Sequence, residues 1–153
     1  MMRFFVRALA AAFACAVVAG PAVAQSPIVI KFSHVVAPDT PKGKGADKFK
    51  ELAEKYTAGK VKVEVYPNSQ LYKDKEELEA LQLGSVQMLA PSLAKFGPLG
   101  ARSFEVFDLP FLFPSVAALQ KIQNGAIGKE LFQSLESKGI TGLAYWDNGF
   151  KIF

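Results

Sequence analysis

The chain has 153 residues, a formal net charge of +4, one cysteine and one histidine. This length has room for one domain with a modest core. A single cysteine excludes an internal disulfide framework and a cysteine-based zinc site. The lysines alternate with carboxylates, as in Lys48, Glu51 and Lys55, which is typical of a solvated helix face and unlike a nucleic-acid-binding stripe. We therefore expect a small globular domain that does not bind nucleic acid.

The first 24 residues have the three-part order of a secretory signal peptide. Two arginines lie within residues 1–7, residues 8–20 are continuously apolar, and residues 21–24 supply the small side chains that signal peptidase accepts. The apolar stretch is shorter than the roughly 20 residues that a membrane-spanning helix needs. We predict cleavage after Ala24, which leaves residues 25–153 as an exported, periplasmic domain. A retained membrane anchor and a lipoprotein modified at Cys15 are the alternatives.

Cleavage changes the composition of the mature chain. Cys15 leaves with the signal peptide, and the loss of Arg3 and Arg7 lowers the formal net charge from +4 to about +2. No later stretch reaches the roughly 18 consecutive apolar residues of a membrane span, so we expect no stable membrane insertion of the mature chain.

The mature sequence begins with a βαβ pattern. Residues 28–32 form a short β-rich run, and residues 61–66 alternate strictly, which places three valines on one face of a second strand. Between them, apolar residues recur at helical spacing over residues 46–56, and Gly59 follows where a helix commonly ends. The two strands should therefore be parallel, with a right-handed crossover.

A second unit follows in the same order. The spacing predicts a helix over residues 73–83, with Leu78 and Leu81 in its buried stripe, and a third strand over residues 86–90. Residues 91–100 are predicted to be a loop or a short helix. This order of elements predicts an open α/β sheet.

The last third of the chain contains a phenylalanine-rich run over residues 104–113. We interpret this run as core, and a partner-docking patch is the alternative. Helices are predicted over residues 115–123 and 127–138, and a fourth strand over residues 140–145. Asn148-Gly149 then has the composition of a tight turn.

In an open α/β sheet, ligands bind outside the carboxyl ends of the strands. Neutral hydrogen-bonding groups and two lysines lie near these predicted ends. A carboxylate ligand needs such donors together with a nearby positive charge. The candidate ligand-binding residues are Ser33, His34, Thr40, Lys42, Ser92, Asn148 and Lys151.

Most of these candidates also have a purely structural interpretation. His34 is compatible with a satisfied imidazole at a strand end, and Thr40 with the N-cap of the first helix. Ser92 and Asn148 both fit turns, and Lys151 fits a solvent-exposed cation. Taken singly, none of these residues defines a site.

The sequence offers little for catalysis. His34 is the only histidine, so a Ser-His-acid triad would depend on it, and no Gly-x-Ser-x-Gly motif supplies the serine. No spacing of His, Asp and Glu indicates a metal site, and residues 42–45 lack a Walker or dinucleotide-binding glycine pattern. We therefore expect a binding protein with no enzymatic activity, no metal and no cofactor.

Four stretches carry a recognisable pattern: Lys31–Val35, Val65–Leu71, Phe107–Phe111 and Ala144–Lys151. They resemble the solute-binding subunits of TRAP transporters of the dicarboxylate type, bacterial extracellular solute-binding protein family 7. The resemblance runs from about residue 28 to residue 153. It implies a type II periplasmic-binding-protein-like fold, in which two α/β lobes close on an organic acid. The receptor then delivers the acid to membrane permease subunits that are driven by an ion gradient.

The resemblance also implies positions for ligand contacts. The end of the first strand, residues 33–35, and Ser92 would line the cleft. Lys151 falls where some relatives place an arginine that contacts the ligand carboxylate. Pro91 falls where a sialic-acid-binding branch has a glutamate, which favours a simple carboxylic acid as ligand.

Members of this family are more than twice as long, and their second lobe carries the main carboxylate-binding arginine. We therefore expect an amino-terminal fragment, with the first α/β lobe over residues 25–153 and the second lobe missing. Such a lobe would expose its interlobe face and an unpaired strand edge.

Three hypotheses follow. The leading one is a periplasmic receptor that binds a C4-dicarboxylate or a related carboxylate and delivers it to a TRAP-type secondary transporter. A secreted hydrolase that relies on His34 is an alternative from another class. The third is a truncated remnant that binds no ligand and self-associates through residues 150–153.

Overall fold

The computed structural model describes residues 26–73 and 75–147. Within them, three parallel strands form a sheet in the order β2-β1-β3, with β1 (Ile28–Ser33) between β2 (Val61–Tyr66) and β3 (Met88–Leu89). The predicted α/β open sheet and its parallel first two strands are confirmed. The predicted signal peptide lies outside the described residues.

Helix α1 (Pro41–Tyr56) connects β1 to β2 and covers one face of the sheet. Its N-cap is Thr40, whose Oγ1 accepts a hydrogen bond from the backbone N–H of Gly43 at 3.1 Å. Phe32 of β1 and Val63 of β2 are buried in a core cluster with Ala46 of this helix. Each of the two larger side chains contributes about 1.5–3 kcal/mol by leaving water.

The second unit is shorter than the sequence predicts. Helix α2 (Glu77–Gln82) occupies only the second half of the predicted 73–83 helix, and β3 has two of the five predicted residues. Gln87 explains the late start of β3, because its side-chain Oε1 accepts from the Lys31 N–H at 3.0 Å, in place of a backbone carbonyl.

Two 3₁₀ helices, Leu93–Leu99 and Arg102–Asp108, follow β3, and then come α3 (Val116–Gln123) and α4 (Ala126–Glu136). These elements agree with the predicted short helix after β3 and with the two predicted later helices. They enclose a second core cluster, separate from the one beneath α1. Its buried members are Leu78, Phe96, Ala101, Phe104, Leu131, Leu135 and Ile140.

The phenylalanine-rich run is only partly core. Phe104 is fully buried, and Phe107 packs against that cluster and stacks on Phe113 at 5.8 Å between ring centroids. Phe111, by contrast, is 94% exposed and has a φ of +60°, because the chain turns at Pro110–Phe111 and directs this ring outward. The core interpretation is therefore wrong for Phe111.

The predicted fourth strand over residues 140–145 is also wrong, because the described residues 140–147 belong to no strand. Side chains and one backbone bond hold this segment against α4. Ile140 N–H donates to Leu135 O at 3.2 Å, and the Tyr145 hydroxyl donates to Gly128 O at 2.9 Å. A strand requires a neighbouring backbone, and here a cavity separates the segment from β3.

Candidate ligand-binding site

The carboxyl end of the central strand is the most deeply buried part of the sheet. Ser33, the last residue of β1, lies between Tyr66 of β2 and Leu89 of β3, and it has no exposed surface. His34 follows it and is equally buried. Sequence reasoning placed both residues at the end of this strand, and the structure confirms that position.

A turn after β2 fixes the chain beyond His34. The backbone N–H of Ser69 donates to His34 O at 3.2 Å, and the N–H of Asn68 donates to Val36 O at 3.1 Å. Both turn residues have left-handed φ angles, +54° for Asn68 and +56° for Ser69. The Pro-Asn-Ser part of the second recognised stretch therefore positions the loop after β1.

The polar side-chain atoms of Ser33 and His34 have no hydrogen-bond partner of good geometry among the described residues. Ser33 Oγ and both ring nitrogens of His34 are buried without a hydrogen bond. Such groups are uncommon in folded proteins because each one costs the free energy of its lost hydration. An arrangement of this kind fits a site in which a ligand supplies the missing partner.

Electrostatics keep the imidazole neutral. Burial lowers the pKa of His34 from its usual 6.5, and the positive charge of Lys42 lowers it further. The backbone at Val36 and the carboxylate of Asp47 oppose this shift in part. A neutral imidazole has one donor and one acceptor, so it can bind a carboxylate oxygen through its N–H.

Lys42 supplies the cation. It lies in the first turn of α1 and is buried, and its Nζ donates to Ala90 O at 2.9 Å, just beyond β3. The lysine thus reaches across the carboxyl ends of the strands. Gly43, the next residue, lets the start of α1 lie close to the preceding loop. A Cβ at this position would meet Ala37 O at 2.5 Å and Pro38 O at 2.6 Å.

The remaining described candidates have different surroundings. Thr40 Oγ1 donates to Ala37 O at 2.6 Å while it caps α1, so both of these bonds serve the local structure. Ser92 is half-buried and precedes the 3₁₀ helix Leu93–Leu99, but its side chain makes no capping hydrogen bond. Asn148 and Lys151 lie outside the described residues.

The sequence analysis did not nominate Trp146, which borders this region. Its ring lies 5.9 Å from that of Phe32, and Gly45 of α1 is small enough to let it approach. Asp147 next to it accepts from the side chain of Gln123 at 3.2 Å. The sequence did contain a signal for Trp146 and Asp147, since both residues belong to the recognised stretch Ala144–Lys151.

Two searches of the described residues gave no further site. No group of three or more His, Cys, Asp or Glu side chains in that part of the chain is placed to hold a metal ion. Across the same residues, no helix combines the length and apolar character that crossing a bilayer requires.

The fold is an open α/β sheet, a class in which ligands bind at the carboxyl ends of the strands. The family model of bacterial extracellular solute-binding protein, family 7, matches residues 32–153. The chain belongs to this family, as the sequence resemblance indicated.

Individual relatives agree with this family assignment. The C4-dicarboxylate-binding periplasmic protein DctP of Rhodobacter capsulatus is 77% identical over 132 residues, which cover 86% of this chain and 39% of that protein. The C4-dicarboxylate-binding protein DctB of Bacillus subtilis is 53% identical over 127 residues, covering 83% of this chain and 36% of that protein. The chain therefore spans about two fifths of the length of the curated relatives it matches.

A solved structure shows the same fold. The TRAP periplasmic solute-binding protein of Pseudomonas aeruginosa PAO1, with bound L-malate, superposes with a TM-score of 0.76 at 58% identity, covering 80% of this chain and 42% of that chain. The protein of Sulfurospirillum deleyianum, with bound succinate, gives 0.78 at 46% identity, covering 82% and 40%. The predicted fold class is thereby confirmed.

Proposed function

We propose that this chain forms the first lobe of a periplasmic receptor for a small carboxylate, a C4-dicarboxylate in particular, which passes its ligand to the permease subunits of a TRAP-type transporter. The relatives named above are described as C4-dicarboxylate-binding, and two structural neighbours hold malate and succinate. The high identity to these proteins supports the same ligand class here.

One observation carries the proposal. His34 is fully buried at the carboxyl end of the central strand and lies in the field of Lys42. Its ring nitrogens make no hydrogen bond of good geometry among the described residues, although the Val36 backbone interacts with the imidazole. A carboxylate at this position would accept from the imidazole N–H while the lysine balances its charge. It would thereby satisfy a group that otherwise only destabilises the fold.

The other candidates have supporting roles in this proposal. Ser92 offers a neutral donor beyond the end of β3, and Thr40 holds the start of α1 in place. Ser33 is proposed as a contact for a ligand group at the end of β1 on the face opposite His34. Asn148 and Lys151 are proposed as ligand contacts on the strength of the family resemblance alone.

A single lobe should bind weakly. An exposed ion pair with a carboxylate contributes about 1 kcal/mol or less, whereas a closed two-lobed site also supplies donors from the second lobe and excludes water. We therefore expect millimolar or undetectable binding of succinate or malate by the 153-residue chain. A chimaera in which the remaining length of the Rhodobacter capsulatus protein follows this chain should bind far more tightly.

The site is tested in that chimaera by calorimetry with succinate. Lys42→Met should weaken binding by about tenfold or more, since a charge-assisted hydrogen bond contributes roughly 1.5–3 kcal/mol. Lys48→Met is the matched control, because Lys48 lies on the same helix but pairs with Glu51 in solvent. Equal affinities of the two variants would contradict the proposed site.

His34→Leu separates binding from folding. The substitution removes two buried, unpartnered nitrogens, so it should leave the unliganded chain as stable as before or more stable. Succinate binding should nevertheless fall. The folded-state pKa of His34 is lowered, so the neutral form contributes stability that is present above pH 6.5. This stability is lost as the pH falls through the lowered, folded-state pKa. The leucine variant should lose this pH dependence.

The hydrolase alternative finds no support in the described geometry. Ser33 and His34 are consecutive on extended backbone, so their side chains point to opposite faces, and no hydrogen bond joins them. The test is an assay with ester and amide substrates. Turnover that His34→Ala abolishes would favour the hydrolase over the receptor.

Export is part of the proposal. The relatives named as periplasmic proteins support a periplasmic location, and cleavage after Ala24 is our prediction for this chain. Amino-terminal sequencing of the product from a bacterial periplasm should begin at Gln25. A membrane-bound product that still begins at Met1 would contradict it.

A further inference from the structure

The side chain of Gln87, just before β3, takes the place of a peptide group in the sheet. Its Oε1 accepts from the Lys31 N–H at 3.0 Å, and its Nε2 donates to Gly84 O at 2.9 Å. The backbone N–H of Gln87 also donates to Lys31 O at 3.1 Å. Both backbone groups of Lys31 are therefore bonded to this one residue.

The pairing of β3 by itself specifies its register weakly. The strand pairs with β1 over two residues only, Phe32 with Met88 and Ser33 with Leu89. Met88 and Leu89 are both apolar and both half-buried. Alternating burial, which normally distinguishes one register from the next, is therefore not available here.

The Gln87 amide supplies the missing constraint. Its bond with the Lys31 N–H forms in one register only, since a slip of one residue carries the accepting oxygen about 3.3 Å along β1. Its second bond, to Gly84 O, ties the amide to the turn that follows α2. The two bonds together fix where β3 begins against the central strand.

The register of β3 in turn sets the position of Ala90. This residue follows β3 directly, and its carbonyl accepts from Lys42 Nζ at 2.9 Å. Lys42 is 7% exposed, and a buried ammonium group needs hydrogen bonds such as this one. A slip of one residue would move Ala90 O by about 3.3 Å, which is enough to break the bond.

We propose that Gln87 is a positioning residue for Lys42. Its side-chain amide fixes the register of β3 against Lys31, and this register holds Ala90 O where the lysine binds. Gln87 thus acts on Lys42 through β3 and Ala90. The consequence for ligand binding rests on the function proposed above, in which Lys42 supplies the positive charge for a carboxylate.

The test measures the accessibility of the Lys42 amine in the 153-residue chain without any ligand. Reductive methylation with formaldehyde and cyanoborohydride is followed by mass spectrometry at Lys42 and at Lys44, an exposed lysine of the same helix. Gln87→Met keeps the length of the side chain and removes both of its hydrogen bonds. We expect Lys42 to react about fivefold faster or more in this variant, and Lys44 at an unchanged rate. An unchanged rate at Lys42 would overturn the proposal.

Gln82→Met is the matched control. Gln82 is an exposed glutamine at the end of α2, and its Nε2 donates to Lys138 O at 2.9 Å. This hydrogen bond involves neither β1 nor β3, so its loss should leave the rate at Lys42 unchanged. An equal acceleration in both glutamine variants would show that general loosening exposes Lys42, and it would overturn the proposal.

Two smaller changes keep the test decisive if Gln87→Met does not fold. Gln87→Glu retains an oxygen that accepts from the Lys31 N–H and loses only the donor to Gly84 O. Gln87→Asn keeps the amide but is one methylene shorter, so it should no longer reach Lys31. We expect faster methylation of Lys42 in the asparagine variant than in the glutamate variant. Equal rates in these two variants would overturn the proposal.

Succinate binding by the two-lobed chimaera tests the consequence for the site. Gln87→Met should weaken binding by about fivefold or more when Lys42 is present, and by less than about twofold in the Lys42→Met background, because it acts through that lysine. Equal weakening in both backgrounds would overturn the positioning role. If Lys42→Met alone leaves succinate binding unchanged, the proposed function fails, whereas the methylation rates still decide whether Gln87 positions Lys42.

Discussion

The free edges of the two outer strands, β2 and β3, differ in whether side chains cover them. At the β2 edge, the backbone N–H of Val63 donates to Glu54 Oε1 at 3.0 Å, and Lys50 Nζ donates to Val63 O at 2.6 Å. Two side chains of α1 thus satisfy the outward-facing groups of Val63. The strand also carries Lys62 and Glu64, charges that discourage pairing with another chain.

Within the described residues, no side chain makes a hydrogen bond to Met88 or Leu89 at the β3 edge. It is two residues long, borders an apolar cavity, and faces a segment whose backbone is unpaired within the described residues. The difference shows that side chains cover the β2 edge, whereas the β3 edge borders a cavity within the described residues. Five predictions test this contrast.

The largest effect is expected from the core that both edges share. Phe32 on the central strand is 2% exposed and contacts the rings of Phe49 and Trp146. Phe32→Ala should lower the free energy of unfolding by about 3–5 kcal/mol, through lost burial and a new cavity. Urea unfolding measures this loss. A loss below about 1 kcal/mol would mean that the residues around the cavity beside β3 collapse to fill the space.

The next effect concerns residues 141–146, which border the cavity beside β3. Tyr145→Phe removes the hydrogen bond to Gly128 O and should cost about 1 kcal/mol. Hydrogen exchange should accelerate at residues 141–146 and stay unchanged at Val63. Uniform acceleration at both sites would contradict the contrast between the edges.

The same residue gives a pH prediction. Burial raises the pKa of Tyr145 to about 12, so the neutral hydroxyl contributes stability that is complete below the ordinary tyrosine pKa of 10 and is lost as the pH rises towards 12. Tyr145→Phe should reduce this loss of folding stability between pH 10 and pH 12.

A smaller effect is expected for self-association at the open edge. Leu143 is 71% exposed at the cavity beside β3, and Leu143→Lys should reduce self-association while it changes the free energy of unfolding by no more than about 0.5 kcal/mol. Leu83→Lys is the control, since Leu83 is 74% exposed but does not line the cavity beside β3. Sedimentation velocity compares the self-association of the two variants. Equal self-association would mean that the open β3 edge does not cause it.

The smallest effect is expected at the covered edge. Hydrogen bonds from the Val63 N–H and from Lys50 lower the pKa of Glu54 below its usual 4.5, so this carboxylate supports the folded state above pH 4.5 and ceases to do so as the pH falls through its lowered pKa. Exchange at Val63 should therefore accelerate at acidic pH more than that of other strand amides. Glu54→Gln keeps an acceptor and should remove the pH dependence while it retains most of the protection.

Much of this organisation was predictable from local pattern. The strict alternation of Val61, Val63 and Val65 and the helical spacing over residues 46–56 identified β1, α1 and β2, because those elements depend on nearby residues and on one another. Ser33 and His34 were placed at a strand end for the same reason. The recognised stretches indicated the family, and the comparisons confirmed it.

Other features depended on distant parts of the chain. Residues 140–145 have the composition of a strand, but they lack a strand in the described structure because a ladder needs a neighbour, and the neighbouring position is a cavity. Phe111 looked like core and is exposed because a turn directs it outward. Composition alone does not specify either outcome.

The sequence by itself determined the class of fold, the parallel βαβ start and the family, since hydrophobic periodicity and specific motifs are local properties. Only the tertiary structure decided that Lys42 reaches Ala90, that His34 is buried without a partner among the described residues, and that one sheet edge is covered while the other is open. These features arise from contacts between residues far apart in the chain. Their free energies depend on burial and distance, which no local pattern encodes.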